Sequence, residues 1–262
     1  MCKDRFALVT GASRGLGSNI AFTLAKNGYT VFGCARSASK LEDLSSRAAE
    51  RGLVIRPIVA DITDPSAVDD IFNQVSAYTD SLDVCINNAG TNRSCRLVRY
   101  SRENSSVLLH PLSLWYETIE LCLSATFLVG RKAAEMMIAK GNGVIVNISS
   151  SVRQGAFSQS AYAASKAGVA SLTKTWAYEL GQYGVRCVCV SPGVIDGERL
   201  NEKIAANPKH AQYMLRLKST LPLGEWCTPE EIVDAVIFAI SNRSLNGSIL
   251  EVDGGGIPPR VW

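Results

Sequence analysis

The chain has 262 residues, of which 47% are hydrophobic and 19% charged, enough for one large α/β domain with a buried core. The net charge of +3 is mild and no run of five like charges occurs, so composition indicates neither nucleic acid nor a membrane as partner. His110 and His210 are the only histidines, so a zinc site and a Ser-His-Asp triad both lack parts. We therefore expect a small-molecule substrate and no metal.

The eight cysteines are dispersed along the chain, and several lie inside apolar runs. This distribution is typical of reduced core residues in a cytosolic protein rather than of a disulfide framework. No uninterrupted stretch of 18 apolar residues is present, and the first residues contain no apolar secretory segment. The sequence predicts a soluble, cytoplasmic protein.

The first predicted strand, Phe6 to Val9, runs into a glycine-rich turn, and a helix marked by Ile20 and Leu24 follows. Backbone N–H groups at such a helix start, bared by glycines, form an anion site suited to a dinucleotide pyrophosphate. The spacing is not G-x-G-x-x-G, so the turn is weak evidence without the strand and helix around it. The candidate residues are Gly11, Ser13, Arg14, Gly15, Leu16 and Gly17.

The second predicted strand, Tyr29 to Cys34, is followed by Ala35, Arg36 and Ser37. A site for NAD would be expected to place an acidic residue here, against the ribose 2′-hydroxyl. Arg36, with Arg14 in the glycine turn, instead suits a 2′-phosphate and predicts NADP(H). The alternative for Arg36 is a solvated loop arginine.

Further strands, Val54 to Val59 and Asp83 to Ile86, alternate with predicted helices. Alternation of this kind predicts a doubly wound parallel sheet with ligands at the carboxyl ends of its strands. Polar motifs follow both strands, at Asp61 to Asp64 and at Asn87 to Gly90.

Residues 91–113 are polar, and arginines recur at every third position from Arg93 to Arg102. That spacing would give a basic helical face, but Pro111 and the serines favour a solvated loop. A long helix is predicted from Ser113 to Lys140.

The strand Val144 to Ile148 leads into three serines and then into a helix that carries Tyr162 and Lys166. The two residues are one helical turn apart and share a face. A neighbouring ammonium favours the phenolate, which brings a tyrosine of ordinary pKa about 10 into range for acid/base chemistry. The alternative is an exposed pair without a role.

After a sixth strand, Val185 to Val190, residues 196–223 are predicted to form a mobile segment over a substrate pocket, or an interface arm.

Together these motifs resemble the short-chain dehydrogenase/reductase family over nearly the whole chain. The resemblance is carried by Thr10 to Gly17, Asn87 to Gly90, Ser149 and Ser150, Tyr162-x-x-x-Lys166, Ser191 to Gly193, and Val252 to Gly255. It implies a Rossmann-like, doubly wound parallel sheet of seven strands with helices on both faces. It also implies one domain, residues 1–262, with a dinucleotide-binding half of about 1–150 and a catalytic half of about 143–262. Homo-oligomers, tetramers or dimers, are usual in this family.

By this resemblance Tyr162 is the catalytic acid/base, and Lys166 lowers its pKa and holds the nicotinamide ribose. The serine that polarises the substrate oxygen is Ser150 when counted from the preceding strand, or Ser149 when counted back from Tyr162; we prefer Ser150. The remaining cofactor contacts implied are Asp61 and Ile62 at the adenine, Asn88, Ala89 and Gly90 at the adenosine side, and Pro192, Gly193 and Ile195 at the nicotinamide.

The sequence departs from the family pattern at three places. Cys122 stands where an asparagine usually supports a proton-relay water, and a thiol is expected to replace its amide bonds poorly. Gly197 stands where a threonine usually binds the carboxamide. The 91–113 loop is about ten residues longer than usual for the family.

The resulting hypothesis is an NADP(H)-dependent oxidoreductase that moves a hydride between the nicotinamide and a carbonyl or secondary-alcohol carbon. We expect a ketone reductase acting on a free small molecule. One alternative is a 3-oxoacyl-thioester reductase, although Gly141 and Tyr183 occupy the positions where basic residues would dock an acyl carrier protein. An alternative of another class is an NADP-binding sensor or scaffold with impaired catalysis, suggested by Cys122 and Gly197.

Overall fold

The computed structural model describes residues 4–103 and 105–256. Its strands are β1 (Arg5–Thr10), β2 (Tyr29–Ala35), β3 (Ile55–Val59), β4 (Val84–Asn87), β5 (Val98–Ser101), β6 (Ser106–Leu109), β7 (Gly143–Ile148), β8 (Val185–Pro192) and β9 (Ile249–Val252). Its helices are α1 (Gly15–Lys26), α2 (Ala38–Ala49), α3 (Pro65–Ser76), α4 (Leu112–Ile119), α5 (Ala125–Lys140), α6 (Ser160–Leu180), α7 (Glu198–Ala206), α8 (Pro208–Lys218) and α9 (Pro229–Ser241).

Seven strands form one sheet in the order β3-β2-β1-β4-β7-β8-β9, and every neighbouring pair is parallel. Strands β4 and β7 are buried along their whole length, as expected for strands covered on both faces. The chain builds outward from β1 to β3 and then returns to place β4 on the other side of β1. The carboxyl ends of β1 and β4 therefore form the switch point where doubly wound sheets bind ligands.

Two apolar cores lie on opposite faces of the sheet. One is formed with α1, α2 and α9, through residues such as Ile20, Leu24, Leu41, Ile232 and Val236. The other is formed with α3, α5 and α6, through Ile71, Phe72, Val129, Met137 and Trp176. The predicted Rossmann-like sheet with helices on both faces is confirmed.

The predicted loop at 91–113 was wrong in part, because β5 and β6 pair there as an antiparallel hairpin. Pairing of Val98 with Leu109 and of Tyr100 with Val107 puts four apolar side chains on one face of this hairpin, each more than half exposed. The polar composition concealed this alternation because the arginines and serines lie between the apolar positions.

The predicted long helix is interrupted, because Glu120–Ser124 form a π-helical turn between α4 and α5. Residues 196–223, which the sequence predicts as a mobile segment or an interface arm, contain the helices α7 and α8. The helical stretch Leu112–Lys140, taken together, is long and apolar enough to cross a bilayer. Val129, Ala133 and Met137 within it are fully buried in the second core, so this part of the stretch packs as a core helix.

Candidate active site

The turn between β1 and α1 is shaped for close approach of a phosphate. Gly11 has φ of +68°, which favours glycine, and a Cβ added to Gly17 would lie 2.2 Å from the Gly11 carbonyl oxygen. The N-cap residue of α1, Arg14, makes no side-chain cap bond, so it leaves the first N–H groups of the helix to another acceptor. The glycines and the helix start fit a dinucleotide pyrophosphate.

Thr10 joins the ends of β1 and β4 at the switch point. Its hydroxyl oxygen accepts from the backbone N–H groups of Asn88 at 3.0 Å and Ala89 at 3.2 Å, and the Asn88 side-chain amide donates to the Thr10 carbonyl at 2.9 Å. These bonds position Asn88, Ala89 and Gly90 beside the glycine turn. Sequence reasoning missed the role of Thr10, because its partners lie almost 80 residues away, a separation of 79 positions at Ala89.

Arg36 and Asp61, predicted separately, form an ion pair with 3.5 Å between guanidinium nitrogen and carboxylate oxygen. Burial alone would raise the pKa of Asp61, but the backbone and hydroxyl hydrogen bonds from Thr63, with the charge of Arg36, lower it. Ile62 is only 7% exposed and its side chain packs in the core under α3, so that side chain is closed to a ligand.

The end of β8 is held by β9 and by the loop before α9. The Gly193 N–H donates to the Val252 carbonyl at 2.8 Å, just beyond Pro192, and Ile195 forms an isolated parallel bridge with Cys227. Gly197 is the N-cap of α7, and a Cβ added there would have no neighbour within 4 Å.

Tyr162 and Lys166 lie in the first turns of α6, with the Lys166 ammonium 5.7 Å from the centre of the tyrosine ring. Lys166 is only 3% exposed, and its Nζ donates to the Ile148 carbonyl at 2.7 Å. Burial lowers the pKa of Lys166, against the opposing effect of the nearby Cys122 and Cys189 thiols. The site therefore keeps a cation next to a partly buried phenol in a nearly water-free place.

The two candidate serines have different hydrogen bonds. The Ser149 hydroxyl donates to the Lys166 carbonyl at 2.8 Å, which commits its proton to α6. The Ser150 oxygen caps the short 3₁₀ turn Ser151–Gln154 by accepting from the Val152 N–H at 3.4 Å. Accepting that bond leaves the Ser150 proton available for a substrate oxygen.

The Cys122 thiol makes two hydrogen bonds, both to the backbone of Thr91. Its sulfur accepts from the Thr91 N–H at 3.3 Å and donates to the Thr91 carbonyl at 3.4 Å. A Cβ added to Gly90 would lie 3.4 Å from this sulfur and 3.6 Å from Lys166 Nζ, so the three residues adjoin. The thiol therefore ties the chain after β4 to the π-helical turn beside the lysine.

Two buried hydrogen bonds between side chains connect the strands and the helix that carry the site. Sequence reasoning missed them. Asn87 donates to Asn147 at 2.8 Å, and Asn147 donates to the Thr173 hydroxyl at 2.9 Å, which links β4, β7 and α6. Asparagines inside two otherwise apolar strands were the available signal, because a buried amide needs a partner.

Metal-binding residues do not cluster in the described part of the chain, where no three His, Cys, Asp or Glu side chains come together. The seven cysteines of that part are free, and burial raises the pKa of the Cys34 and Cys85 thiols to about 12.

Comparison with known proteins agrees with this geometry. The family model described as short chain dehydrogenase matches residues 5–208. A 3-oxoacyl-[acyl-carrier-protein] reductase of Thermotoga maritima is 33% identical over 97% of this chain and 98% of the relative. Gluconate 5-dehydrogenase of Gluconobacter oxydans is 34% identical over 95% of this chain and 93% of the relative.

A solved structure of a short chain dehydrogenase/reductase family protein superposes with a TM-score of 0.80, at 31% identity, over 96% of each chain. Members of this family bind a nicotinamide cofactor and act as oxidoreductases. On the match of sequence and fold, the chain belongs to the short-chain dehydrogenase/reductase family.

Proposed function

We propose that this protein is an NADP(H)-dependent ketone reductase, or secondary-alcohol dehydrogenase, that acts on a free small molecule. The observation that carries the proposal is the buried Lys166 ammonium 5.7 Å from the Tyr162 ring, next to a glycine turn that fits a dinucleotide. A bound nicotinamide supplies or accepts a hydride at the substrate carbon.

The chain's own residues handle the substrate oxygen. Tyr162 gives that oxygen a proton during reduction and takes it back during oxidation. Lys166 favours the phenolate by its charge, and the free Ser150 proton donates a hydrogen bond to the same oxygen. Cys122 keeps the chain near Gly90 in place, which weakens the case for a catalytically impaired sensor.

Replacing Tyr162 tests the reaction. Tyr162→Phe should lower kcat by about a hundredfold to ten-thousandfold, because the proton donor is lost, and leave NADPH binding measured by fluorescence nearly unchanged. Tyr178→Phe, a 76% exposed tyrosine on the same helix, is the matched control and should keep full turnover. Near-normal turnover by Tyr162→Phe would rule out the assignment of Tyr162 as the acid/base.

The alternative of a catalytically impaired NADP-binding sensor has its own test. Tight NADPH binding by the wild type without turnover of any carbonyl, unchanged by Cys122→Asn, would favour it.

The choice of NADP(H) is supported by Arg36 and Arg14 and by the absence of an acidic residue directly after β2. Arg36 is already paired with Asp61, but both side chains are exposed, so this pair is weak. A 2′-phosphate, with nearly two charges and three acceptors, should compete well for the guanidinium.

The Arg36 variant tests that choice. Arg36→Met should lower kcat/KM with NADPH by about tenfold to a hundredfold, since a charge-assisted bond to phosphate is lost, and change it less than about twofold with NADH. Arg51→Met, on an exposed arginine two residues after α2, controls for loss of surface charge. An unchanged NADPH to NADH ratio in Arg36→Met would contradict the role of Arg36.

The second candidate is a 3-oxoacyl-thioester reductase, favoured by relatives such as the Thermotoga maritima enzyme. Gly141 and Tyr183 at the carrier-docking positions argue for the free substrate instead. We further propose a cytoplasmic homo-oligomer, a tetramer or dimer.

A further inference from the structure

An open cleft of about 450 Å³ lies along β3, the edge strand of the main sheet. Three strands separate β3 from β7, the strand that leads into the candidate serines, so this cleft is not part of the proposed active site. Its floor includes the buried core residues Phe32 and Ile58, and Leu53 and Val54 add apolar wall. The volume lies within the range of about 300 to 1,000 Å³ that is usual for small-molecule sites.

Arg56 brings a positive charge without a counter-ion to the wall of this cleft. Its guanidinium lies over the Tyr78 ring, with Cζ 3.9 Å from the ring centre, and both residues line the cleft. No acidic side chain in residues 4–103 and 105–256 forms an ion pair with it. The side chain is half-buried, and its Nε is shielded from water without a hydrogen-bond partner in that part of the chain. Removing a cation from water without an opposite charge costs free energy, so an anion in the cleft would stabilise this arrangement.

The chemistry of the wall favours a carboxylate as that anion. A guanidinium presents its donors as a planar fork that matches the two oxygens of a carboxylate. Stacking on Tyr78 restricts the orientation of this fork, which lowers the entropy cost of binding. Gln74, exposed on α3 and also lining the cleft, adds two amide N–H donors. Because Leu53, Val54 and the floor are apolar, the matching ligand carries its carboxylate on an apolar body.

The outer edge of β3 disfavours a peptide strand as the occupant. The Val31 N–H of β2 donates to the Val54 carbonyl at 3.1 Å, so by alternation Ile55 and Pro57 direct their backbone groups to the outer edge. Pro57 has no N–H to offer an added strand. The Ile55 carbonyl already accepts from the Ser45 hydroxyl at 2.8 Å. The cleft therefore suits a small molecule better than an extended peptide.

We propose that this cleft is a second ligand site, which binds a small carboxylate with an apolar body through Arg56. The carboxylate pairs with the guanidinium, and the apolar body covers Leu53 and Val54. Binding requires neither the cofactor nor Tyr162, so this site is independent of the proposed reductase activity.

An NMR titration of the full chain, labelled at its methyl groups, tests the site with octanoate and with 1-octanol, the neutral analogue of equal chain length. The methyl signals of Leu53, Val54 and Ile58 should shift with octanoate. The wild type should bind octanoate at least about tenfold more tightly than octanol, since only the acid forms charge-assisted bonds to Arg56. Arg56→Met keeps the apolar stem and removes the charge, so it should weaken octanoate by about tenfold or more and change octanol less than about twofold.

Arg96→Met is the matched control, because it removes an arginine stacked on Phe157 outside the cleft, and it should leave both affinities unchanged. Ala49→Trp, which fills the cleft from the end of α2, should weaken both ligands and provides the test if Arg56→Met does not fold. Equal affinity of the wild type for octanoate and octanol, shifts confined to methyl groups outside the cleft, or an unchanged octanoate affinity in Arg56→Met or Ala49→Trp would overturn the inference.

Discussion

The Lys166 ammonium is the most constrained charge of the site, since it is buried and bonded to a backbone carbonyl. Taking a cation out of water costs free energy, which is why burial lowers its pKa. The same burial strengthens the effect of the charge on Tyr162, because the field is screened less by solvent. The buried charge of Lys166 therefore favours catalysis but lowers the free energy of unfolding.

Replacing Lys166 should raise stability and remove activity at the same time. With its pKa below the usual 10.5, the folded state binds fewer protons than the unfolded state between the lowered pKa and 10.5, so stability rises with pH there. Below that interval the full cost of the buried charge is present. Lys166→Met should therefore raise Tm by a few degrees near neutral pH, with a difference that shrinks toward pH 10.5, and abolish turnover. Thermal denaturation across pH measures this, and a variant less stable than wild type at neutral pH would show that the bond to Ile148 outweighs the burial cost.

Among the elements, the π-helical turn and α7 carry Cys122 and Gly197, two of the departures from the family pattern. The turn Glu120–Ser124 places Cys122 beside Gly90 and Lys166, and π turns within helices are frequent at functional sites. The start of α7 lacks a side-chain cap. Its N-cap residue, Gly197, has an extended backbone with φ −162°. Neither strain nor crowding requires glycine there.

A threonine at this position should improve cofactor binding. Gly197→Thr adds a preferred N-cap hydroxyl at the position of the family's carboxamide contact, and space for it exists. We expect the Kd for NADPH, measured by fluorescence titration, to fall severalfold, and Tm to change by only about a degree, since the cap is worth a few tenths of a kcal/mol over glycine. Gly197→Ala is the control without the hydroxyl. An equal gain in both variants would attribute the effect to backbone rigidity rather than to the hydroxyl.

At the scale of the whole molecule, α5 and α6 leave an apolar groove on the outer surface. It is lined by Leu123, Ser124, Phe127, Leu128, Gly168, Ser171 and Leu172. Phe127 is 46% exposed in this groove, and Gly168 and Ser171 are the small residues of its α6 wall. The groove supports the proposed homo-oligomer, because exposed apolar surface of this kind marks contact sites.

A charge in the groove should separate the subunits. Phe127→Glu should shift the sedimentation mass of the purified protein from an oligomer toward the monomer, because an unpaired carboxylate would be buried at the contact. Leu215→Glu, on an apolar residue of α8 that is 68% exposed and outside the groove, is the control. A wild-type mass equal to the monomer, or an unchanged oligomer in Phe127→Glu, would contradict this role.

Local patterns in the sequence predicted the alternation of sheet strands with helices, the parallel sheet, the glycine turn, Asn88 and the one-turn spacing of Tyr162 and Lys166. These follow from local signals, namely hydrophobic period, glycine placement and one-turn spacing, which act within a few residues. Only the tertiary structure separated Ser149 from Ser150, through the bond from Ser149 to Lys166.

The tertiary structure also decided the contacts made between distant segments. It paired Arg36 with Asp61, bonded Cys122 to Thr91 and formed the β5–β6 hairpin. These depend on which segments the folded chain brings together, and no short pattern encodes that. A thiol or an amide has the same local propensity whether or not a partner is present, so its role becomes readable only when the partner's position is known.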